Sequence, residues 1–192
     1  MPPAPELPDE ILAARLQKGD EEALLLLMQR FEPKLLRYGR RFIHGLGEDV
    51  LAQAVQDIFI SAYENIEGFN TNQRFSPWIY RIAHNTFVDI LRYKAKYSLY
   101  GFGFDTLVAH SVHEDEYRKE KENQELRVLL EKSLDTLPPA QREIIILYYF
   151  EELGYREIAD ILHIPIGTVG VRLARARARL KEKLPDASTF EL

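Results

Sequence analysis

Apolar residues recur three and four positions apart along most of this chain, which is the spacing of one face of an α-helix. No stretch alternates apolar and polar residues between hairpin turns, so we expect no β-sheet. The predicted fold class is therefore all-α. The pattern predicts helices over residues 9–18, 21–43, 48–66, 76–96, 126–134 and 139–153, followed by two more within residues 155–184.

Local signals set several helix ends. Gly19 stops the first helix, and Asp20 is placed to cap the second, whose first turn carries two glutamates. Pro33 falls inside that second helix, where we expect a kink. Ser76 is a suitable N-cap before Pro77, since proline is favoured at the first helical position.

The helical pattern breaks at residues 98–125. This segment begins Gly-rich and aromatic and continues as a charge run, with seven acidic and three basic side chains. The sequence thus predicts two small helical domains, residues 1–97 and 126–192, joined by a flexible acidic linker over residues 98–125. We expect a helix to begin near residues 117–123 and the C-terminal tail to be frayed.

Charge is distributed unevenly along the chain. The formal net charge is -5, which argues weakly against a nucleic-acid partner. However, residues 74–97 hold five basic side chains and one acidic, and residues 155–184 hold seven basic and three acidic. Because phosphate binding responds to the local field, these islands favour contact with nucleic acid, although either could be a solvated helix face.

Other features exclude several classes of protein. The chain has no cysteine, so disulfides and thiolate metal sites are excluded. No apolar run reaches the roughly 18 residues of a membrane span, and the Pro-rich, acidic N-terminus is no signal peptide. His110 and His113 lie beside carboxylates in the linker, which is a weak metal motif. We therefore expect a cytoplasmic protein with no membrane insertion, metal, cofactor or catalytic site.

Residues 155–184 have the pattern of a helix-turn-helix. A short helix ends near His163, where the turn needs an unusual backbone; histidine is enriched at positive φ. Pro165 then opens a second helix, in which Val169, Leu173, Ala176, Leu180 and Leu184 form one apolar stripe. Thr168, Arg172, Arg175 and Arg179 cluster on an adjacent face. A major-groove recognition helix has this construction, and these four residues are predicted to bind DNA.

The second half of the chain resembles a known family. The segment LPPAQREIIILYYFEELGYREIADILHIPIGTVGVRLARARARLK is similar to domain four of bacterial sigma-70 factors of the extracytoplasmic-function (ECF) type. In the first half, DEILAARLQKGDEEALLLLMQRFEPKLLRYGRRF resembles the opening helices of sigma domain two. VQDIFISAYENIEGF resembles its polymerase-clamp helix, and RFSPWIYRIAHNTFVDILR resembles its minus-ten reading segment.

The resemblance implies functions for particular residues. The loop over residues 69–74 would capture an unpaired base, a task suited to aromatic and amide groups. The predicted loop contacts are Phe69, Asn70, Asn72 and Arg74, although Phe69 and Phe75 could be core anchors instead, as could Trp78. On the next helix, DNA contacts are expected from Arg81, His84, Asn85, Asp89 and Arg92, with Asp89 and Arg92 also spaced to pair. Polymerase contacts are expected from Gln56, Asp57, Ile60, Ser61 and Glu64.

The sequence departs from the family pattern at two places. Ala52 and Gln53 stand where an acidic pair is common, which changes the expected polymerase footprint. Gly170 and Val171 replace a common Lys-Ser pair, and Ala174 replaces a polar residue. Val171 and Ala174 lie opposite the buried stripe on the helical wheel, so we expect them to be exposed. Their side chains cannot donate hydrogen bonds to bases, so they would meet thymine methyl groups or a protein partner. Affinity would then come mainly from arginines on phosphates, with a steep dependence on salt.

The preferred interpretation is a monomeric sigma factor, a non-catalytic specificity subunit that directs core RNA polymerase to promoters. It would contact the polymerase clamp and flap, read minus-thirty-five DNA as duplex and minus-ten DNA as a melted strand, and answer to an anti-sigma factor. Two alternatives remain: a dimeric helix-turn-helix regulator acting without polymerase, which leaves the first domain unexplained, and a sigma-like protein-binding adaptor.

Overall fold

The computed structural model describes residues 7–43, 45–98 and 133–183. Within these ranges there are helices and no strands, which confirms the all-α prediction. The N-terminal domain (residues 7–98) contains α1, α2, α3 and α4; the C-terminal domain (residues 133–183) contains α5, α6 and α7. Their bounds are α1 Asp9–Leu16, α2 Glu21–Phe42, α3 Glu48–Asn65, α4 Phe75–Ser98, α5 Pro139–Ile145, α6 Tyr155–Leu162 and α7 Ile166–Lys183.

The ends of the N-terminal helices follow mostly local chemistry. Gly19 has φ +86°, and the Asp20 carboxylate accepts a hydrogen bond from the Glu22 amide at 3.1 Å, so the predicted cap is confirmed. By contrast, α4 begins at Phe75, one residue before the expected cap at Ser76. The Phe75 amide donates to the Glu10 carboxylate of α1 at 3.0 Å. A distant side chain thus satisfies the first turn of α4.

Large apolar side chains fill the N-terminal core. Phe31, Tyr38 and Phe87 are each 0% exposed. Tyr38 and Phe87 meet edge to face, with ring centroids 5.3 Å apart. The backbone of α2 comes close to this cluster at Gly39, where an added Cβ would lie 2.4 Å from Leu51 Cδ1 and 2.8 Å from Phe87 Cζ. A side chain at residue 39 would therefore displace buried atoms of α3 and α4.

Replacing Gly39 by alanine should destabilise the protein despite alanine's better helix propensity. We expect the free energy of unfolding to fall by about 1–3 kcal/mol, because the extra methyl overpacks a closed core. Urea denaturation measures the change. Gly68→Ala is the matched control, since nothing lies within 4 Å of a Cβ at residue 68. An unchanged midpoint for Gly39→Ala would show that the core yields at this contact.

In the C-terminal domain, α5 begins at Pro139 directly after Pro138, as expected, and its α-helical geometry ends at Ile145. Residues Ile146–Phe150 form a π-helical turn directly after α5. Inside the domain, Arg142 is only 8% exposed. Its guanidinium donates to the Leu134 and Leu137 carbonyl oxygens at 3.0 and 3.1 Å, which fixes the segment before α5.

The turn between α6 and α7 has the predicted backbone. His163 adopts φ 51° and ψ 45°, the left-handed conformation that ends α6. Ile164 is half-buried against the core, and the Thr168 amide bonds to the Pro165 carbonyl oxygen at 2.8 Å. The helix-turn-helix predicted from the sequence is thus present.

The two domains pack against each other, although the sequence predicted separate domains joined by a flexible linker. Helix α6 lies on α4, and the turn after α5 lies on α2. Arg142 Nη1 donates to the Phe42 carbonyl oxygen across this interface at 3.2 Å. The Arg41 guanidinium lies over the Phe150 ring, 4.2 Å from its centroid.

Several predictions fall outside the described residues. They are the linker beyond Ser98, its two histidines, the helix expected near residues 117–123, most of the helix over residues 126–134, and Leu184 with the tail. Within the described ranges, no helix is both long and apolar enough to cross a bilayer.

Candidate nucleic-acid interface

Helix α7 separates an apolar inner side from a solvent-facing outer side. Val169, Leu173 and Ala176 are each 0% exposed and Leu180 is 2% exposed, so the predicted stripe packs inward. The opposite face is open to solvent along the helix. A helix that packs on the domain with one side and is open to solvent on the other can enter the major groove of DNA.

The arginines of α7 divide into two groups. Arg175 and Arg179 are exposed, whereas Arg172 and Arg177 are half-buried. Thr168, the other predicted DNA contact on this helix, is half-buried beside the inner stripe, as Arg172 is. Arg177 is held by the protein, since its Nε donates to the Tyr149 hydroxyl at 2.8 Å. Burial raises the pKa of Tyr149, and the nearby Arg177 opposes that shift. Arg175 and Arg179 are thus the two arginines of α7 with exposed side chains, and both point away from the core.

Apolar side chains also lie on the outer face. Val171 is 50% exposed, and Ala174 and Ala178 are exposed as well. Gly170 lies beside the Tyr155 ring, where an added Cβ would sit 3.6 Å from Cε2. The exposure expected for Val171 and Ala174 is therefore confirmed.

On α4, the predicted DNA-binding residues lie in different environments. Asn85, Asp89 and Arg92 are exposed, and Arg81 is half-buried. The Arg92 guanidinium bonds to the Asp89 carboxylate at 3.1 Å, as the three-residue spacing predicted. His84, in contrast, is covered by the C-terminal domain.

The loop before α4 presents its polar residues and buries its first aromatic one. Phe69 is 4% exposed and packs 5.1 Å from Trp78, centroid to centroid. Phe69 is therefore a core anchor in this structure, and Phe75 and Trp78 belong to the same aromatic cluster. Asn70 and Asn72 are exposed, and the Asn70 side chain accepts from the Asn72 amide at 3.0 Å.

Contacts from elsewhere in the chain hold this loop. The Gln17 amide donates to the carbonyl oxygens of Ile66 and Phe69, each at 2.8 Å. At the other end, Arg74 pairs with Glu157 of α6 at 2.5 Å while 65% of its side chain stays exposed. Glu157 also accepts from the Gly154 amide at 2.7 Å, so one carboxylate caps α6 and binds Arg74.

The outer face of α3 is a second open surface, distinct from the basic islands. Gln56, Asp57, Ile60 and Glu64 are exposed, and Ser61 is half-buried. Ile60 is 56% exposed and Tyr63 47%. The face thus combines apolar anchors with polar groups, as many protein-binding surfaces do.

Two carboxylates of the C-terminal domain hold the domain interface together. Glu143 is 4% exposed; it accepts from the Tyr38 hydroxyl at 2.5 Å and lies 2.6 Å from His84 Nδ1. Burial, followed by the Glu143 charge, raises the pKa of Tyr38 well above its usual value, so Tyr38 stays protonated and donates.

Glu151 makes the second such contact. It accepts a short hydrogen bond from the Tyr80 hydroxyl. Burial raises the pKa of Glu151, opposed by this hydrogen bond and by the charges of Arg41 and Arg37. Burial and the Glu151 charge likewise raise the pKa of Tyr80. Both domains therefore contribute to a largely desolvated polar seam.

Sequence reasoning missed the residues that position this interface. Glu10, Gln17, Glu143 and Glu157 each bond a partner 49 or more residues away in the sequence, and no local pattern predicts those contacts. The one available signal was the pair Arg142-Glu143, two charged residues directly before an apolar run. In the parts of the chain that the structure describes, no cluster of metal ligands occurs.

Known families match both halves of the chain. Residues 27–97 match sigma-70 region 2, and residues 127–180 match sigma-70 region 4. The ECF RNA polymerase sigma factor SigW of Bacillus subtilis is 33% identical over 179 residues, covering 90% of this chain and 94% of SigW. The ECF RNA polymerase sigma-E factor of Escherichia coli is 32% identical over 186 residues, covering 93% and 95%.

Two solved structures share the fold of this chain. CnrH, solved in complex with the cytosolic domain of CnrY, is 28% identical and superposes with a TM-score of 0.66, covering 94% of this chain and 98% of CnrH. The sigma factor RpoE of Bartonella quintana, solved with the anti-sigma factor NepR, shares the fold with a TM-score of 0.64, covering 86% and 96% at 24% identity. The chain belongs to the ECF RNA polymerase sigma factors of the sigma-70 family.

Proposed function

We propose that this chain directs core RNA polymerase to promoters by binding two DNA elements, one with each domain. The observation that carries the proposal is the outer face of α7. Arg175 and Arg179 are exposed there, opposite a stripe that is at most 2% exposed. The second helix of a helix-turn-helix enters the major groove, and arginines beside it bind phosphates. Helix α7 therefore binds the minus-thirty-five element as duplex.

The N-terminal domain binds the minus-ten element as an unpaired strand. Its candidate surface is the loop with Asn70, Asn72 and Arg74, together with the exposed residues of α4. Amide groups hydrogen-bond the edges of unpaired bases, and cations follow the strand's phosphates. In this proposal the Phe69 ring supports the loop from inside the core.

The outer face of α3 binds the polymerase clamp. Ile60 is the apolar anchor at 56% exposed, with Gln56 and Glu64 beside it. The C-terminal domain meets the flap. The chain acts as a monomer, supplies specificity while the polymerase carries out the chemistry, and works in the cytoplasm where the polymerase is.

Control by an anti-sigma factor completes the proposal. CnrH forms a complex with the cytosolic domain of CnrY, and this chain superposes on CnrH over most of its length. A protein covering α3 or α7 would block polymerase or duplex DNA.

Promoter binding requires the domains to separate. By their names the two elements lie about 25 base pairs apart, roughly 85 Å along B-form DNA. Here the domains touch, with Glu143 bonded to both Tyr38 and His84. The roughly 34 residues between Ser98 and Ser133 can extend to about 110 Å, enough to span the elements.

Selection of DNA by the reconstituted holoenzyme tests the proposal. Core polymerase with this chain is incubated with a randomised duplex library, and bound DNA is sequenced. We expect two enriched elements at a fixed spacing, and no such enrichment with core alone. Enrichment of one palindromic site by the chain without core would instead identify a dimeric regulator.

A further inference from the structure

The outer face of α7 has an unusual chemistry for a surface that meets DNA. Its first three turns, IGTVGVRLARA, contain no asparagine, glutamine, lysine or serine. Thr168 and Arg172 are half-buried. Val171, which is 50% exposed, and Ala174 are open to solvent in this part of the helix. Before Arg175, the exposed side chains of the helix therefore offer no hydrogen-bond donor to base edges.

The packing of the two domains against each other leaves the outer face of α7 uncovered. The C-terminal domain contacts α2 and α4 through α6 and the segment around α5, while Val171 stays half exposed. Exposed Arg175 and Arg179 follow on the same helix. An apolar surface flanked by two exposed cations complements a polyanion that carries apolar groups between its phosphates.

The major groove offers one such apolar group, the 5-methyl of thymine. Side chains in the N-terminal half of a recognition helix are the ones that contact base edges, and Val171 and Ala174 lie there. We propose that Val171 and Ala174 read thymine methyl groups, so that the upstream element of this sigma factor carries thymines opposite them. The inference rests on the proposed duplex binding by α7 and adds its specificity.

The expected effect per methyl is modest and measurable. Removing one methyl from an apolar contact should weaken binding about three- to fourfold. Because arginine-phosphate contacts carry no sequence information, their strength should not change. Methyl readout therefore appears as a loss of affinity with an unaltered slope against salt.

Uracil substitution isolates the methyl. In a duplex carrying the upstream element selected by holoenzyme, each thymine is replaced in turn by uracil, which removes the methyl and keeps every hydrogen-bonding group. Holoenzyme affinity is measured by fluorescence anisotropy at fixed salt. We expect a three- to fourfold loss at one or two positions, reduced to less than twofold in Val171→Ala at the position facing residue 171. Leu25→Ala, which trims a 58% exposed leucine on α2, should keep the full loss.

Each outcome decides the matter. Equal affinity for thymine and uracil at every position overturns methyl readout while leaving duplex binding by α7 intact. Full discrimination retained by Val171→Ala overturns the assignment to this residue. Failure of holoenzyme to select any upstream element removes the proposed function and this inference with it. Weaker binding of a protein partner by Val171→Ala, with no uracil effect, assigns the face to that partner instead.

Discussion

Holoenzyme carrying alanine at both Arg175 and Arg179 is expected to bind its upstream duplex about 100-fold more weakly than the unaltered holoenzyme. Each exposed arginine is proposed to make a charge-assisted hydrogen bond to phosphate, and such bonds contribute on the order of 1.5 kcal/mol apiece. Losing two such bonds therefore raises the dissociation constant about 100-fold. Fluorescence anisotropy with a labelled duplex measures the change.

The dependence on salt gives a second readout for the same variant. A protein that neutralises Z phosphates has a log-log slope near −0.9Z, so losing two contacts should flatten the slope by about 1.8. Lys18→Ala with Arg40→Ala is the matched control, because it removes two exposed charges from the N-terminal domain. If the control weakened binding as much as the α7 variant, net charge rather than the recognition helix would explain the affinity.

The second large effect is a change in the distance between the domains. The chain has no cysteine, so in the variant with Leu25→Cys on α2 and Glu182→Cys on α7 these two thiols are the only sites that react with a donor and an acceptor dye. Both positions are exposed. We expect efficient energy transfer in the free chain and near-complete loss in the promoter complex, because elements roughly 85 Å apart hold the domains apart. Identical transfer in both states would exclude the separation.

The domain seam itself can be weakened to test its contribution. Glu143→Ala removes the acceptor of the buried Tyr38 hydroxyl and the partner of His84, leaving polar groups whose desolvation is no longer offset. We expect lower energy transfer in the free chain. Glu48→Ala is the matched control, since Glu48 pairs with Arg40 at the surface, within the N-terminal domain, and is 61% exposed. It should leave the transfer unchanged.

Local chemistry explains how much of this fold could be predicted from the sequence. The stripe on α7, the Asp20 cap and the left-handed His163 each depend on residues within a few positions, so a reader of the sequence can infer them. The exposure of Val171 and Ala174 followed from the same periodicity. Such features need only the geometry of a helix.

Contacts between distant segments could not be predicted in this way. Glu143 meets His84 across 59 residues, and Arg74 meets Glu157 across 83. The sequence near Phe69 did not show whether its ring binds a base or packs in the core. The ring packs on Phe75 and Trp78, and these two aromatic residues could themselves have served either role. The packing of the domains arises from these contacts together, and no helical pattern encodes them.

Run-off transcription shows whether this chain directs core polymerase to a promoter. Core polymerase is given a template carrying the two selected elements, with and without this chain, and the transcripts are resolved by length. We expect a transcript with one defined start that requires both core and chain, and a sharp fall in its amount with the Arg175 and Arg179 double variant. A template bound by the chain alone, with no chain-dependent transcript from core, would contradict the proposed function.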